Sequence, residues 1–284
     1  MSTTAARRHF ATTRPIESFA FGRAAESTLD IRAERRRSRR TLRMTVLLAF
    51  DTATERTAIA LGDEARAWLR EGAGGARASA TFLPAVLDVL RDAGLHLEDV
   101  DAIAYGRGPG AFTGLRVACA VAQGLALGAR KPVLALDTLM AVAEDARTLL
   151  AAGCEGDVRF DLPLAVWAVQ DARMDEVYAG EYVRDGDRWW TRRAPRVLAP
   201  EALVAEWQQS LPSVVAGNAL PAFGTRLDSG LAVRVPEAAP RPGALLALAR
   251  TAWAAGERLD AADALPLYVR DKVALTSAER DASR

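Results

Sequence analysis

The chain has 284 residues, half hydrophobic and 26% charged, enough apolar material for one large domain or two smaller ones. No run approaches 18 uninterrupted apolar residues, so a membrane span is not expected. Its two cysteines, Cys119 and Cys154, match no CxxC or zinc spacing, which excludes a disulfide framework and points to reduced thiols. The net charge of +1 is unevenly spread: residues 1–43 hold eleven arginines against four acids, a surplus of seven, which leaves −6 for the remaining chain. An acidic body is a poor electrostatic match for RNA phosphates, so any service to RNA is expected to run through other proteins.

Residues 1–43 lack hydrophobic periodicity and are expected to be disordered. The run Arg35-Arg36-Arg37-Ser38-Arg39-Arg40 has the charge to touch nucleic acid, but nothing in the segment resembles the apolar core of a secretory signal. Met44 directly precedes a clean strand pattern, Thr45 to Phe50. It is expected to be the biological start, with a genuine arm or a targeting peptide as the alternative.

From Met44 the predicted elements alternate. Strands at Thr45–Phe50, Thr57–Leu61 and Ala67–Leu69 form an antiparallel meander, with the polar turn Asp51-Thr52-Ala53-Thr54 after the first. A loop over 72–78 leads to a helix from Ser79 or Thr81 to Asp92. There Phe82, Leu83, Val86, Leu87 and Leu90 recur at helical spacing, and Pro84 is expected in the first turn. The strand Val100–Tyr105 runs into a glycine-rich loop, 106–112, and Thr113 is placed to cap a helix reaching Leu127. A strand at 133–136 and a helix at 138–150 complete the first half. The second half restarts with strands at 164–169 and 176–179, a helix at 200–209, a strand at 214–216 and a helix at 243–255. Setting Asp171 over Asp51, 120 residues apart, aligns two openings of apolar strand, aspartate, turn and strand. The pattern predicts an α/β, two-lobed architecture with duplicated mixed-sheet domains. The first lobe is expected over 44–150, a reduced second lobe over 151–275, and a tail over 276–284.

Two places have the chemistry of an anion site. One is the glycine loop with Gly108, Pro109, Gly110, Thr113 and Gly114, which joins backbone N–H groups to a helix N-terminus; it is neither a Walker A loop nor GxGxxG. The other is Asp51-Thr52 at a strand end, where ligands of open sheets collect. The plainer readings, a tight strand-to-helix turn for the first and an Asx-type turn for the second, weigh more. His96 is the single histidine after residue 43, so neither a histidine-based metal site nor Ser-His-Asp or Cys-His catalysis is expected. On the helix after the loop, Gly114, Ala118, Ala122 and Ala126 recur every four residues, flanked by Leu115, Val121 and Leu125. That stripe is either internal core or a surface on which another helix packs closely.

Four strings resemble the TsaB (YeaZ) family. They are Phe50-Asp51-Thr52-Ala53-Thr54, the loop from Gly106 to Arg116, Asp171-Ala172-Arg173-Met174-Asp175-Glu176-Val177-Tyr178, and Pro266-Leu267-Tyr268-Val269-Arg270. The resemblance runs in order from Met44 to about Ala274, and the glycine-loop string is its most specific part. It implies the fold shared by actin, sugar kinases and Hsp70 (ASKHA), with a shortened second lobe. It also implies a non-catalytic role beside the larger homologue TsaD, which carries the metal and the catalytic site, and the ATPase TsaE. Together they move threonylcarbamoyl to N6 of adenosine 37 in tRNAs that read codons beginning with A. On this reading Asp51, Thr52 and the loop glycines are vestigial phosphate elements, and the chain holds no tight cofactor, since ATP and metal belong to its partners. It meets tRNA only within the complex, works in the cytoplasm without a membrane, and can self-pair. The partner surface would comprise Phe82, Val86, Leu90, Gly114, Ala118, Val121, Ala122 and Leu125. Departures from the usual family pattern fall at Ala78, Ala111 and Gln123 and weaken any grip of the loop on phosphate. A stand-alone ATP-dependent small-molecule kinase of the same fold is the alternative.

Overall fold

The computed structural model describes residues 44–75, 78–153 and 163–270. The expectations for 1–43, Cys154 and the 276–284 tail lie outside those residues. β1 (Leu47–Asp51) pairs antiparallel with β2 (Arg56–Gly62), which pairs with β3 (Ala67–Ala73). On the other side of β1, β4 (Ala102–Gly108) and β5 (Val133–Asp137) add in parallel, giving the order β3-β2-β1-β4-β5. The second sheet repeats this plan with β6 (Leu164–Arg173), β7 (Glu176–Asp185), β8 (Arg188–Leu198), β9 (Val214–Ala216) and β10 (Val233–Val235), in the order β8-β7-β6-β9-β10. Its pairings are again two antiparallel and two parallel.

The helices repeat too. α1 (Ala78–Asp92) lies between the third and fourth strands of the first sheet, as α4 (Pro200–Gln209) does in the second. α2 (Phe112–Ala129) follows β4 as the five-residue α5 (Ala219–Phe223) follows β9. α3 (Thr138–Ala152) and α6 (Pro242–Ala254) each follow a fifth strand. The second half is the reduced copy: its last two strands have three residues each, and α5 stands where α2 has 18.

Strand alternation decides which side chain enters which core. Leu48, Phe50, Ile59, Leu61 and Ile103 face α1 and α2. Leu47, Ala49, Ala58, Ala60, Ala102 and Ala104 face Leu245, Leu246 and Ala249 of α6. In the second sheet Val166, Ala168 and Val214 face Leu139, Val142 and Ala146 of α3, while Trp167, Val169 and Val215 face Leu203 and Trp207 of α4. The helices thus cross the division expected at residue 150. α6 covers the first sheet, whose inner face is mostly alanine and therefore lets a helix approach closely, and α3 covers the second.

Other expectations change in detail. Pro84 lies inside α1, beyond its first turn, because the helix begins at Ala78. β8 and β10 were not expected. β8 is an edge strand rich in arginine, with Pro195 in it, and is largely solvated, so it carries no clean apolar alternation. Thr113 is not the cap of α2; Ala111 holds that position without a side-chain bond. α2 alone among the described helices has the length and apolar composition of a membrane span, yet its buried side, including Ala118, Cys119, Ala122 and Ala126, packs in the first core.

Candidate functional site: the cleft between the two sheets

The end of β1 meets the glycine loop at very short range. A Cβ on Gly114 would lie 1.9 Å from the Thr52 carbonyl oxygen, one on Gly110 2.5 Å from the Ala53 oxygen, and one on Gly106 1.7 Å from Asp51 Oδ2. Thr52 Oγ1 donates to the Gly114 oxygen at 2.6 Å, and the Ala111 N–H donates to the Ala53 oxygen at 2.7 Å. By lacking a Cβ, these glycines make room for the chain's own first turn. Gly108 has φ 112°, a backbone angle that glycine tolerates, and its N–H donates to Thr138 Oγ1 at 3.1 Å. Thr138 in turn donates to Asp51 Oδ2 at 2.6 Å, and the Ala53 N–H donates to Asp51 Oδ1 at 2.6 Å. Asp51 is 1% exposed, and burial pushes its carboxyl up against the lowering effect of those two bonds.

The residues expected to be vestigial phosphate elements lie mostly within this packing. Asp51, Thr52, Gly108, Pro109 and Gly114 are buried in the chain's own packing, Gly110 is half-buried, and Thr113 is exposed on α2. A second buried carboxylate, Asp137, caps α3 by accepting from the Leu139 and Met140 N–H groups and takes a hydrogen bond from Tyr182 at 2.9 Å. Burial raises it to about 6, while the Tyr182 bond pulls the other way.

Beside this closed corner lies an open cleft of about 380 Å³. The β1–β2 turn, the glycine loop, the β6–β7 turn and the segment 267–270 line it. Arg173, Met174 and Asp175 all adopt positive φ in the β6–β7 turn. Arg173 reaches across to pair with Glu55 and also holds Asp171 at 3.1 Å. Arg270 donates to Glu176 at 2.5 Å and to the Ala172 oxygen at 3.1 Å. Leu267 donates to the Arg107 oxygen at 2.7 Å, and Tyr268 stacks on Phe112 with ring centres 4.8 Å apart. Arg116 covers the same Phe112 ring at 3.9 Å and donates to the Tyr268 hydroxyl. The 264–270 segment thus ties the first sheet to the tip of the second. Among the described residues no three His, Cys, Asp or Glu side chains gather as a metal site requires.

The proposed partner stripe is also corrected. Phe82, Val86, Leu90, Ala118 and Ala122 are at most 4% exposed, Leu125 and Gly114 are buried, and Val121 is half-buried. All eight serve the chain's own packing, seven in the first core and Gly114 against Thr52. On the Ala118 flank, Cys119 and Gln123 donate to the Ala264 oxygen. The solvated faces of the same helices carry Leu83 and Leu87 on α1, and Ala120, Gly124 and Leu127 on α2, with Leu127 76% exposed. The alignment of Asp171 with Asp51 is one residue out of facing register. Asp51 continues the inner row of Leu47 and Ala49, whereas Asp171 continues Trp167 and Val169 on the outer row. Gln170 holds the inner position.

Over 235 residues, 80% of this chain and 96% of the relative, the sequence is 37% identical to the tRNA threonylcarbamoyladenosine biosynthesis protein TsaB of Escherichia coli (strain K12). The chain belongs to the TsaB family. The TsaB of Haemophilus influenzae is 33% identical over 240 residues, covering 80% of this chain and 94% of that one. The solved structure of YeaZ from Pseudomonas aeruginosa is 38% identical and matches with a TM-score of 0.68, over 79% of this chain and 100% of that one. The family model of TsaD, tRNA N6-adenosine threonylcarbamoyltransferase, matches residues 76–214. TsaB membership places the chain in threonylcarbamoyladenosine biosynthesis and agrees with the duplicated ASKHA-type sheets.

Of the residues singled out in the sequence, Pro109 and Gly110 line the cleft; Phe112, Arg173, Met174, Tyr178, Tyr268 and Arg270 were not expected there as a site, although all stand in the four family strings. The usable signal was that two of those strings lie about 100 residues apart and carry complementary arginines, acids and aromatics.

Proposed function

We propose that this TsaB-family chain is a non-catalytic subunit of a tRNA threonylcarbamoyl transferase and acts with TsaD and TsaE. The observation that carries the reading is the filled corner at the glycine loop. Where a phosphoryl-transfer enzyme of this architecture needs an accessible carboxylate and open loop amides, Asp51 is sealed against Thr138, and the loop glycines are in contact with Thr52 and Ala53. A stand-alone kinase therefore has neither its phosphate cradle nor its carboxylate there. Metal, ATP and chemistry belong to the partners, tRNA is met in the assembled complex, and the work is cytoplasmic.

The partner surface is the solvated side of α1 and α2. Leu83, Leu87 and Leu127 stand exposed there beside small Ala120 and Gly124, a combination that lets helices of another subunit, or of a second copy, pack closely. Reconstitution tests the whole reading. With TsaD, TsaE, threonylcarbamoyl-adenylate and tRNA present, modified adenosine is expected when this chain is added and only at background when it is left out. Modification of tRNA by the chain alone would overturn the proposal.

A further inference from the structure

The arginines of β8 are gathered on one surface. β8 is the edge of the second sheet, and its register with β7 fixes its faces. Trp189 packs inward, where it donates to Glu144 of α3. Trp190 stands opposite Val183, and Arg193 opposite Glu181, which itself pairs with Trp167 on the outer face. Arg196 shares that face, since the guanidiniums of Arg193 and Arg196 lie over the Trp167 ring at 5.4 and 6.0 Å. Arg192 stands at the bulge between Thr191 and Arg193 and reaches the same Glu181.

Two carboxylates hold these three guanidiniums from beneath. Glu181 accepts from Arg192 at 2.9 Å and from Arg193 at 3.2 Å, and Glu206 of α4 pairs with Arg193 and Arg196. The acid side chains are 10% and 18% exposed, whereas those of Arg192, Arg193 and Arg196 are 55%, 37% and 43% exposed. The acids are thus largely shielded from an arriving partner, while each guanidinium is fixed in place with further N–H groups to offer. Beside them Trp190 is 56% exposed, with Arg188 over its ring at 5.3 Å. Asp185 and Asp187 flank Arg188 at the hairpin tip, so anion contacts fall to the other three arginines.

Fixed planar guanidiniums suit phosphates, and an exposed indole suits the face of an unstacked base. A lipid surface calls for a broad apolar face, and Trp190 is the one large apolar side chain exposed on this strand. We infer that the outer face of β8 is a contact surface for single-stranded RNA, with Arg192, Arg193 and Arg196 on the phosphates and Trp190 stacked on a base. The contact uses residues of this chain alone and does not depend on its role beside TsaD. Because residues 44–284 carry a net charge of −6, binding by the chain is expected to be weak and steeply salt-dependent.

Fluorescence anisotropy of labelled tRNA, titrated with the full chain at about 50 mM salt, tests the inference. Residues 1–43 are common to parent and variants, so differences between them report on β8. Trp190→Ala is expected to weaken binding about tenfold, the loss of one stacked base. Arg192→Ala is expected to weaken it about threefold and to make the salt dependence shallower, while Arg193 still holds Glu181. Both side chains are more than half exposed, so the melting temperature is expected to hold; if one variant does not fold, the other decides. Arg56→Ala makes the same charge change at an exposed site in the first sheet and is expected to leave affinity within about twofold. The inference is overturned by absence of saturable tRNA binding, by parental affinity in a folded Trp190 or Arg192 variant, or by an equal loss in Arg56→Ala. It is also overturned if phosphatidylserine vesicles are bound and released by these substitutions while tRNA is not.

Discussion

Asp137 shows what burial does to a single carboxyl. Desolvation raises it from the ordinary 3.8 to about 6, although it caps α3 and accepts from Tyr182. The folded chain therefore holds this proton more tightly than the unfolded chain. The stability it contributes is whole below about pH 4 and is lost as pH rises through 6. The difference corresponds to about 3 kcal/mol. Asn at this position keeps the cap through its oxygen, turns an amide donor toward the Tyr182 oxygen in place of the second carboxylate oxygen, and does not titrate. Urea unfolding of Asp137→Asn, compared with the parent from pH 4 to 7, is expected to show the variant gaining relative stability as pH rises; parallel curves would rule out the assignment. Gly114 makes the opposite kind of demand. Its missing Cβ leaves room for the Thr52 oxygen, and Gly114→Ala is expected to destabilise by about 3 kcal/mol, because backbone on both sides must shift. Chemical denaturation measures this directly, and a loss under 1 kcal/mol would contradict the packing described here.

At the scale of the element, α2 has two faces with different duties. Ala118 lies at zero exposure against the first sheet, so Ala118→Glu places a charge in a closed core and is expected to abolish folding. Leu127 and Gly124 face solvent on the other side. Leu127→Asp and Gly124→Glu are expected to leave the melting temperature within a few degrees of the parent while removing co-purification with TsaD. If both variants are captured like the parent, the docking face is not α2. Helical periodicity marked α2 as amphipathic, but a small-residue repeat reads the same whether the neighbour is the chain's own sheet or another protein. In this chain the Gly114, Ala118, Ala122 and Ala126 row belongs to the sheet.

At the scale of the whole molecule the two halves share their helices. Without α6, the alanine face of the first sheet is open to water, with Leu47, Leu134 and Leu136 beside it. Residues 44–153 expressed alone are therefore expected to lack cooperative unfolding, and a sharp thermal transition from that fragment would show that the lobe is autonomous. The 264–270 segment acts at the same scale. Arg270 joins the β6–β7 turn through Glu176 and the Ala172 oxygen, and Leu267 and Tyr268 anchor the same strand of chain on the first sheet. Arg270→Ala is expected to cost about 1 kcal/mol, since the pair is partly solvated, and to speed amide exchange over residues 171–176. Unchanged exchange would mean that the turn is held by other contacts.

Much of this was legible in the sequence. Period-two apolar runs gave the meander and its restart after residue 163, and helical spacing gave α1, α2 and α3, because those signals are local and each element hides one face. The four motif strings carried the family. Tertiary structure alone decided which core each face enters, since alternation says that a face is buried but not what covers it. That is why α6 crosses to the first sheet and why the expected partner stripe lies inside. It also decided that the glycine loop is closed by Thr52 and Ala53, and that Gln170 rather than Asp171 holds the inner position. Both depend on contacts between segments far apart in the chain, at distances no spacing rule encodes.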